Sequence, residues 1–160
     1  MPKINLKRVL LTSLIGYSSL LVLFWVPFNY TTDELKDYHD NYMTIINGNC
    51  KSSQYINPWQ FYMSFKDLSS EGLAGATHYS DRYVSRRLIW IDSSEWKIYN
   101  EDEKISLVFH ELTHAYFNYP DLSGYNNRAH FMYEGMNDLN NKFSTYQQLN
   151  ELTKDLCKSQ

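Results

Sequence analysis

His110-Glu111-Leu112-Thr113-His114 places two imidazoles four residues apart, with a carboxylate beside the first. On a helix, positions i and i+4 share a face, so both rings can reach one metal ion while Glu111 lies close to a metal-bound water. The stretch therefore demands a helix, and the helix must border a cleft.

The flanking residues supply that helix. Asn100 is a plausible N-cap with Glu103 three residues later, and Glu101, Asp102 and Glu103 suit the positive end of a helix dipole. Ile105, Val108, Phe109, Leu112 and Tyr116 then recur at helical spacing as a buried stripe. Tyr119-Pro120-Asp121-Leu122-Ser123-Gly124 is turn chemistry that ends it.

The spacing implies zinc chemistry. Zinc held by His110, His114 and a third side chain keeps a fourth position open for water, whose pKa falls on binding. Glu111 is then the general base that takes the proton as water attacks a peptide carbonyl. The expected function is that of a zinc-dependent metallopeptidase acting on a peptide or protein substrate.

Arg87-Leu88-Ile89-Trp90-Ile91-Asp92 reads as a strand just upstream, and a bound peptide is expected along Ile89–Ile91 by β-augmentation. Taken together, RLIWIDSSEW, VFHELTHAYFNYPD, HFMYEG and YQQLNEL resemble small bacterial and phage zinc metallopeptidases of metzincin type, over roughly residues 86–153. The resemblance implies a zincin-like fold. It assigns Asn118 to the position of a turn-forming Gly, Asp121 to the third ligand, and Met132 to a Met-turn. Asn tolerates a left-handed backbone, and Asp is an acceptable zinc ligand. A weaker resemblance to gluzincins makes Glu134 the alternative third ligand, with Asp138 orienting a ligand His.

The first thirty residues carry a second signal. After Lys3, Lys7 and Arg8 no charge occurs from Val9 to Thr32, and Val9–Phe28 as a helix would span about 30 Å, enough to cross a bilayer. The expectation is residues 1–30 as a membrane anchor or signal segment, and residues 31–160 as the zinc metallopeptidase-like domain. Basic residues ahead of the span imply a single-pass protein of the cell membrane with an extracytoplasmic catalytic domain. Secretion, or a periplasmic location after cleavage of the segment, is the alternative.

The rest of the chain fits one domain. Of 15 basic and 18 acidic residues, three basic ones precede Val9, leaving 12 against 18 and a formal charge of −6. Nucleic acid is thereby an unsuitable partner. Thr32–Asn47 reads as an amphipathic helix, Gln60–Phe65 and Leu73–Tyr79 as strands, and Gly135–Leu156 as a closing helix. The class is α+β, with a small mixed sheet, the motif helix and a C-terminal helix. Cys50 and Cys157 could form one disulfide or remain free thiols. His39, His78 and His130 read as packing residues, and Asp81, Arg82, Arg86 and Arg87 as a solvated turn. Two other functions fit the same residues: a catalytically silent zinc-binding protein, or a membrane-anchored envelope interaction or immunity protein.

Overall fold

The computed structural model describes residues 28–80, 86–123, 130–133 and 145–158. In chain order these form β1 (Phe28–Thr31), α1 (Asp33–Asn49), β2 (Gln60–Lys66), β3 (Gly75–Ser80), β4 (Arg86–Asp92), α2 (Glu95–Ile98), α3 (Glu101–Phe117) and α4 (Thr145–Lys158). The result is a small α+β fold with a mixed sheet.

The sheet runs in the order β1-β2-β4-β3. β1 and β2 are parallel, as are β2 and β4, while β3 lies antiparallel to β4 at one edge. Composition explains the placement. β4 carries large apolar side chains on both faces, as a strand flanked on both sides requires, whereas Gly75-Ala76-Thr77-His78-Tyr79-Ser80 is small and polar enough for an edge. Phe61, Met63, Ile89 and Ile91 point to one face and are buried there. Because Gly75 pairs with Ile91, Thr77 with Ile89 and Tyr79 with Arg87, those three β3 residues face the same side.

α3 crosses that face. All five residues of its expected stripe, Ile105, Val108, Phe109, Leu112 and Tyr116, are buried. Leu35, Tyr42 and Ile46 of α1 join the same core, and the rings of Tyr42 and Phe109 meet edge-on at 5.3 Å. Each such side chain contributes about 1.5–3 kcal/mol on burial, which makes α3 the best-anchored element of the fold.

α4 packs on α1 through Leu149, Thr153 and Cys157. Asn49 donates to Thr153 Oγ1 at 2.8 Å, and a Cys50–Cys157 disulfide joins the end of α1 to the last turn of α4. The bridge closes a loop with a sequence separation of 107. Cross-linking about 100 residues restricts the unfolded chain by roughly 4–5 kcal/mol. Reduction should therefore lower the melting temperature by on the order of 10 °C. A melt with and without reductant checks this, with Cys50→Ser/Cys157→Ser as the control that reductant leaves unmoved.

The expected transmembrane helix requires correction. Among the described residues no helix is long and apolar enough to cross a membrane. The longest, α1 and α3, have 17 residues each and carry charged side chains. At 1.5 Å per residue they reach about 25 Å, short of the roughly 30 Å of a bilayer core. The end of the uncharged run, Phe28–Thr31, is a sheet strand, and residues 1–27 lie outside the described residues. The expected membrane or signal anchor, the membrane as a partner and the single-pass placement in the cell membrane find no such helix among the described residues.

Candidate metal centre

Both ends of α3 are fixed, and this sets the position of the histidines. At the start, Asn100 Oδ1 accepts from the Glu103 amide at 3.1 Å while Glu103 Oε2 accepts from the Asn100 amide at 2.8 Å, the reciprocal capping box. At the end, Asn118 takes a left-handed backbone (φ 49°, ψ 31°), and its amide donates to His114 O at 3.0 Å. Arg87, buried on β4, donates to Ala115 O at 2.9 Å and to Asn118 Oδ1 at 3.2 Å. A cation thus sits at the negative end of the helix.

The turn through Asn118 returns the chain to the helix face at once. Tyr119 O accepts from His114 Nδ1 at 2.5 Å, and Phe131 O accepts from His110 Nδ1 at 2.9 Å. With both Nδ1 atoms donating, each neutral ring presents a bare lone pair on Nε2. Those Nε2 atoms lie 3.0 Å apart, and Asp121 Oδ1 lies 3.0 Å from one and 3.1 Å from the other.

Two lone pairs and a carboxylate oxygen converging this closely repel one another unless positive charge lies among them. Burial alone would push the His110 imidazole down, but the contact with Asp121, the nearby Glu111 charge and the Phe131 carbonyl together hold it above its ordinary value. Without a metal, His110 as an imidazolium donates from Nε2 to Asp121 as well, and this hydrogen bond holds the Asp121 carboxyl below its usual range. Both directions are those of a site that favours a cation. A point about 2 Å from all three donors exists, the distance at which zinc takes imidazole nitrogen and carboxylate oxygen. His110, His114 and Asp121 can therefore chelate a divalent metal, with a donor set consistent with zinc but not specific to it.

Glu111 stands beside this cluster, only 5% exposed. Burial raises its carboxyl above the usual range, against the opposing effects of the two histidines and a hydrogen bond from Thr77. Thr77 Oγ1 lies 2.6 Å from Glu111 Oε2. The cluster opens into a cleft of about 720 Å³ between α3 and the β3 edge, rimmed by Ser69, Leu73, Glu95 and Tyr99. Met132 is fully buried next to Phe131, and its carbonyl accepts from the Leu122 amide at 2.8 Å, tying the segment after α3 to the 130–133 segment.

Comparison with family models, curated proteins and solved structures finds no match. The site must speak for itself. His110-Glu111-x-x-His114 with Asp121 forms a cluster consistent with a zinc-dependent catalytic site, specifically the active site of a zinc protease. The likeness is to a zincin-like site, not to the metzincins in particular.

Several other residues were read in the sequence as candidates or as packing. Glu134 and Asp138 lie outside the described residues. His39 Nε2 meets Tyr116 OH at 2.9 Å, His78 packs on Trp90, and His130 Nδ1 accepts from the Met132 amide at 3.1 Å. None of the three joins the metal cluster. Arg87 is a correction, since it is no solvated turn residue but the buried cap of α3. Thr77 and Gly75 were missed because their partner, Glu111, is 34 or more residues away and no local signal joins them.

Proposed function

We propose that this protein is a zinc-dependent peptidase of metzincin-like design. The reading rests chiefly on one observation: both histidines are turned by backbone carbonyls so that their Nε2 atoms meet Asp121, with Glu111 alongside in an open cleft. Zinc bound there would supply Lewis-acid activation of a water and of the scissile carbonyl. His110, His114 and Asp121 would hold it, leaving a fourth position towards the cleft. Glu111 takes the proton of the attacking water and delivers it to the departing amine. Burial of Glu111 favours this role, because a base whose pKa is raised towards neutrality both accepts and returns a proton readily. The left-handed turn at Asn118, the approach of Asp121 to both histidines and the burial of Met132 support the metzincin-like arrangement over the gluzincin-like one.

The peptide track differs from the one expected along Ile89–Ile91. β4 is hydrogen-bonded on both sides, by β2 and by β3, so its edge is closed. The outer edge of β3 borders the cleft and is paired with no other described strand. An extended peptide adding to β3 would pass its carbonyl beside the cluster.

The test is hydrolysis of unfolded casein by the full-length protein carrying zinc. We expect cleavage fragments by mass spectrometry, their loss with 1,10-phenanthroline and their return on adding zinc. Protein that keeps no zinc through dialysis and cleaves nothing would overturn the proposal.

A further inference from the structure

The β3 edge does more than border the cleft. Thr77 Oγ1 lies 2.6 Å from Glu111 Oε2 and 3.0 Å from the backbone oxygen of the same residue. The shorter contact has the length of a hydrogen bond to an ionised carboxylate. Two residues earlier on the same strand face, Gly75 has no side chain where Glu111 needs the space. A Cβ built there would fall 2.6 Å from Glu111 Oε1, 2.9 Å from Cγ and 3.0 Å from Cδ. One carboxylate oxygen is thus held by a hydroxyl, and the other lies where a Cβ at position 75 would force Glu111 to shift.

From this clamp we infer that Thr77 and Gly75 are positioning residues for Glu111, fixing its carboxylate in the one orientation that serves the reaction. The inference rests on the proposed peptidase reading for its catalytic consequence. Its structural content stands apart from that reading, since the hydroxyl and the missing Cβ act on Glu111 whether or not a substrate is present. A glutamate has three side-chain torsions, and burial alone leaves several rotamers open to it. Thr77 selects among them by attraction and Gly75 permits the selected one by its size. The strand proposed to bind the peptide is then also the strand that orients the base. Displacement of a catalytic group by about 1 Å can cost on the order of a hundredfold in rate, so the clamp should be felt in kcat.

Two measurements test this. Metal-free wild type, Thr77→Val, Glu111→Ala and the double variant are compared by thermal denaturation. Thr77→Val should lower the melting temperature by about 5 °C in the wild-type background, because it leaves a buried carboxylate without its donor. In the Glu111→Ala background the same substitution should produce a clearly smaller loss, because the hydroxyl there has only the backbone oxygen of residue 111 to meet. With zinc-loaded protein and a quenched fluorescent peptide copied from a casein cleavage site, Thr77→Val and Gly75→Ala should each lower kcat by about tenfold to a hundredfold with KM within about twofold. Thr77→Ser keeps the hydroxyl and should restore kcat to within about threefold. Equal melting losses in both backgrounds, or wild-type kcat in Thr77→Val, would overturn the inference. Absence of cleavage by the wild type would overturn the peptidase reading, and the melting comparison would still decide whether β3 holds the carboxylate.

Discussion

Glu111→Gln leaves metal binding intact and abolishes hydrolysis. The substitution preserves volume and keeps an oxygen able to accept from Thr77 Oγ1, so the fold and the His110–His114–Asp121 cluster should be undisturbed. An amide cannot take a proton from water. General-base catalysis contributes about 10²–10⁴-fold, and a rate loss at the upper end is expected because among the described residues the only other carboxylate that meets the two histidines is Asp121. Asp121 cannot take over the role, because its oxygen meets both histidines, where it would hold the metal. The checks are zinc stoichiometry by atomic absorption and peptide turnover under identical loading. Unchanged turnover would remove Glu111 from the mechanism. Lost zinc would show that its charge serves binding instead. A protein that binds zinc fully and hydrolyses nothing even with Glu111 intact would be a metal-binding protein without catalysis.

What the chain declares locally, it declares well. The capping pair Asn100 and Glu103 and the stripe from Ile105 to Tyr116 define α3 because both signals act within a few residues. Strand order is different in kind. The apolar run Leu88-Ile89-Trp90-Ile91 announces a strand, and its richness on both faces is the mark of a central one, yet the neighbour that would become the edge is set by pairing across the chain. With β2 on one side and β3 on the other, β4 is closed to the peptide expected along Ile89–Ile91. β1 escaped notice because Phe28–Thr31 lies within a long uncharged run, where four apolar and polar residues carry no period of their own. Arg87 looked like surface because the acceptors that make its burial tolerable, Ala115 O and Asn118 Oδ1, are about thirty residues away on α3. The Cys50–Cys157 pairing needed α1 and α4 to be packed side by side before either partner could be assigned.

Replacing two carboxylates in turn tests the third ligand. Asp121 Oδ1 lies 3.0 Å and 3.1 Å from the Nε2 atoms of His110 and His114, placed there by the left-handed turn at Asn118. Glu134, the alternative, lies outside the described residues. Asp121→Ala should therefore release zinc, and Glu134→Ala should retain it. The expected loss for Asp121→Ala exceeds the roughly 10–100-fold that removal of an outer hydrogen-bond partner costs, because a donor atom itself is lost. Two imidazoles alone leave zinc short of the three protein ligands usual in catalytic sites, so competition with a chromophoric chelator should read a clear difference. Retention in Asp121→Ala with loss in Glu134→Ala would reverse the assignment and favour the gluzincin-like arrangement. Retention in both would point to His130, whose Nδ1 now accepts from the Met132 amide and whose ring would have to turn to reach the metal. Half-exposed as its side chain is, Asp121 can be replaced with little cost to the core, so the zinc measurement reports ligation and not unfolding.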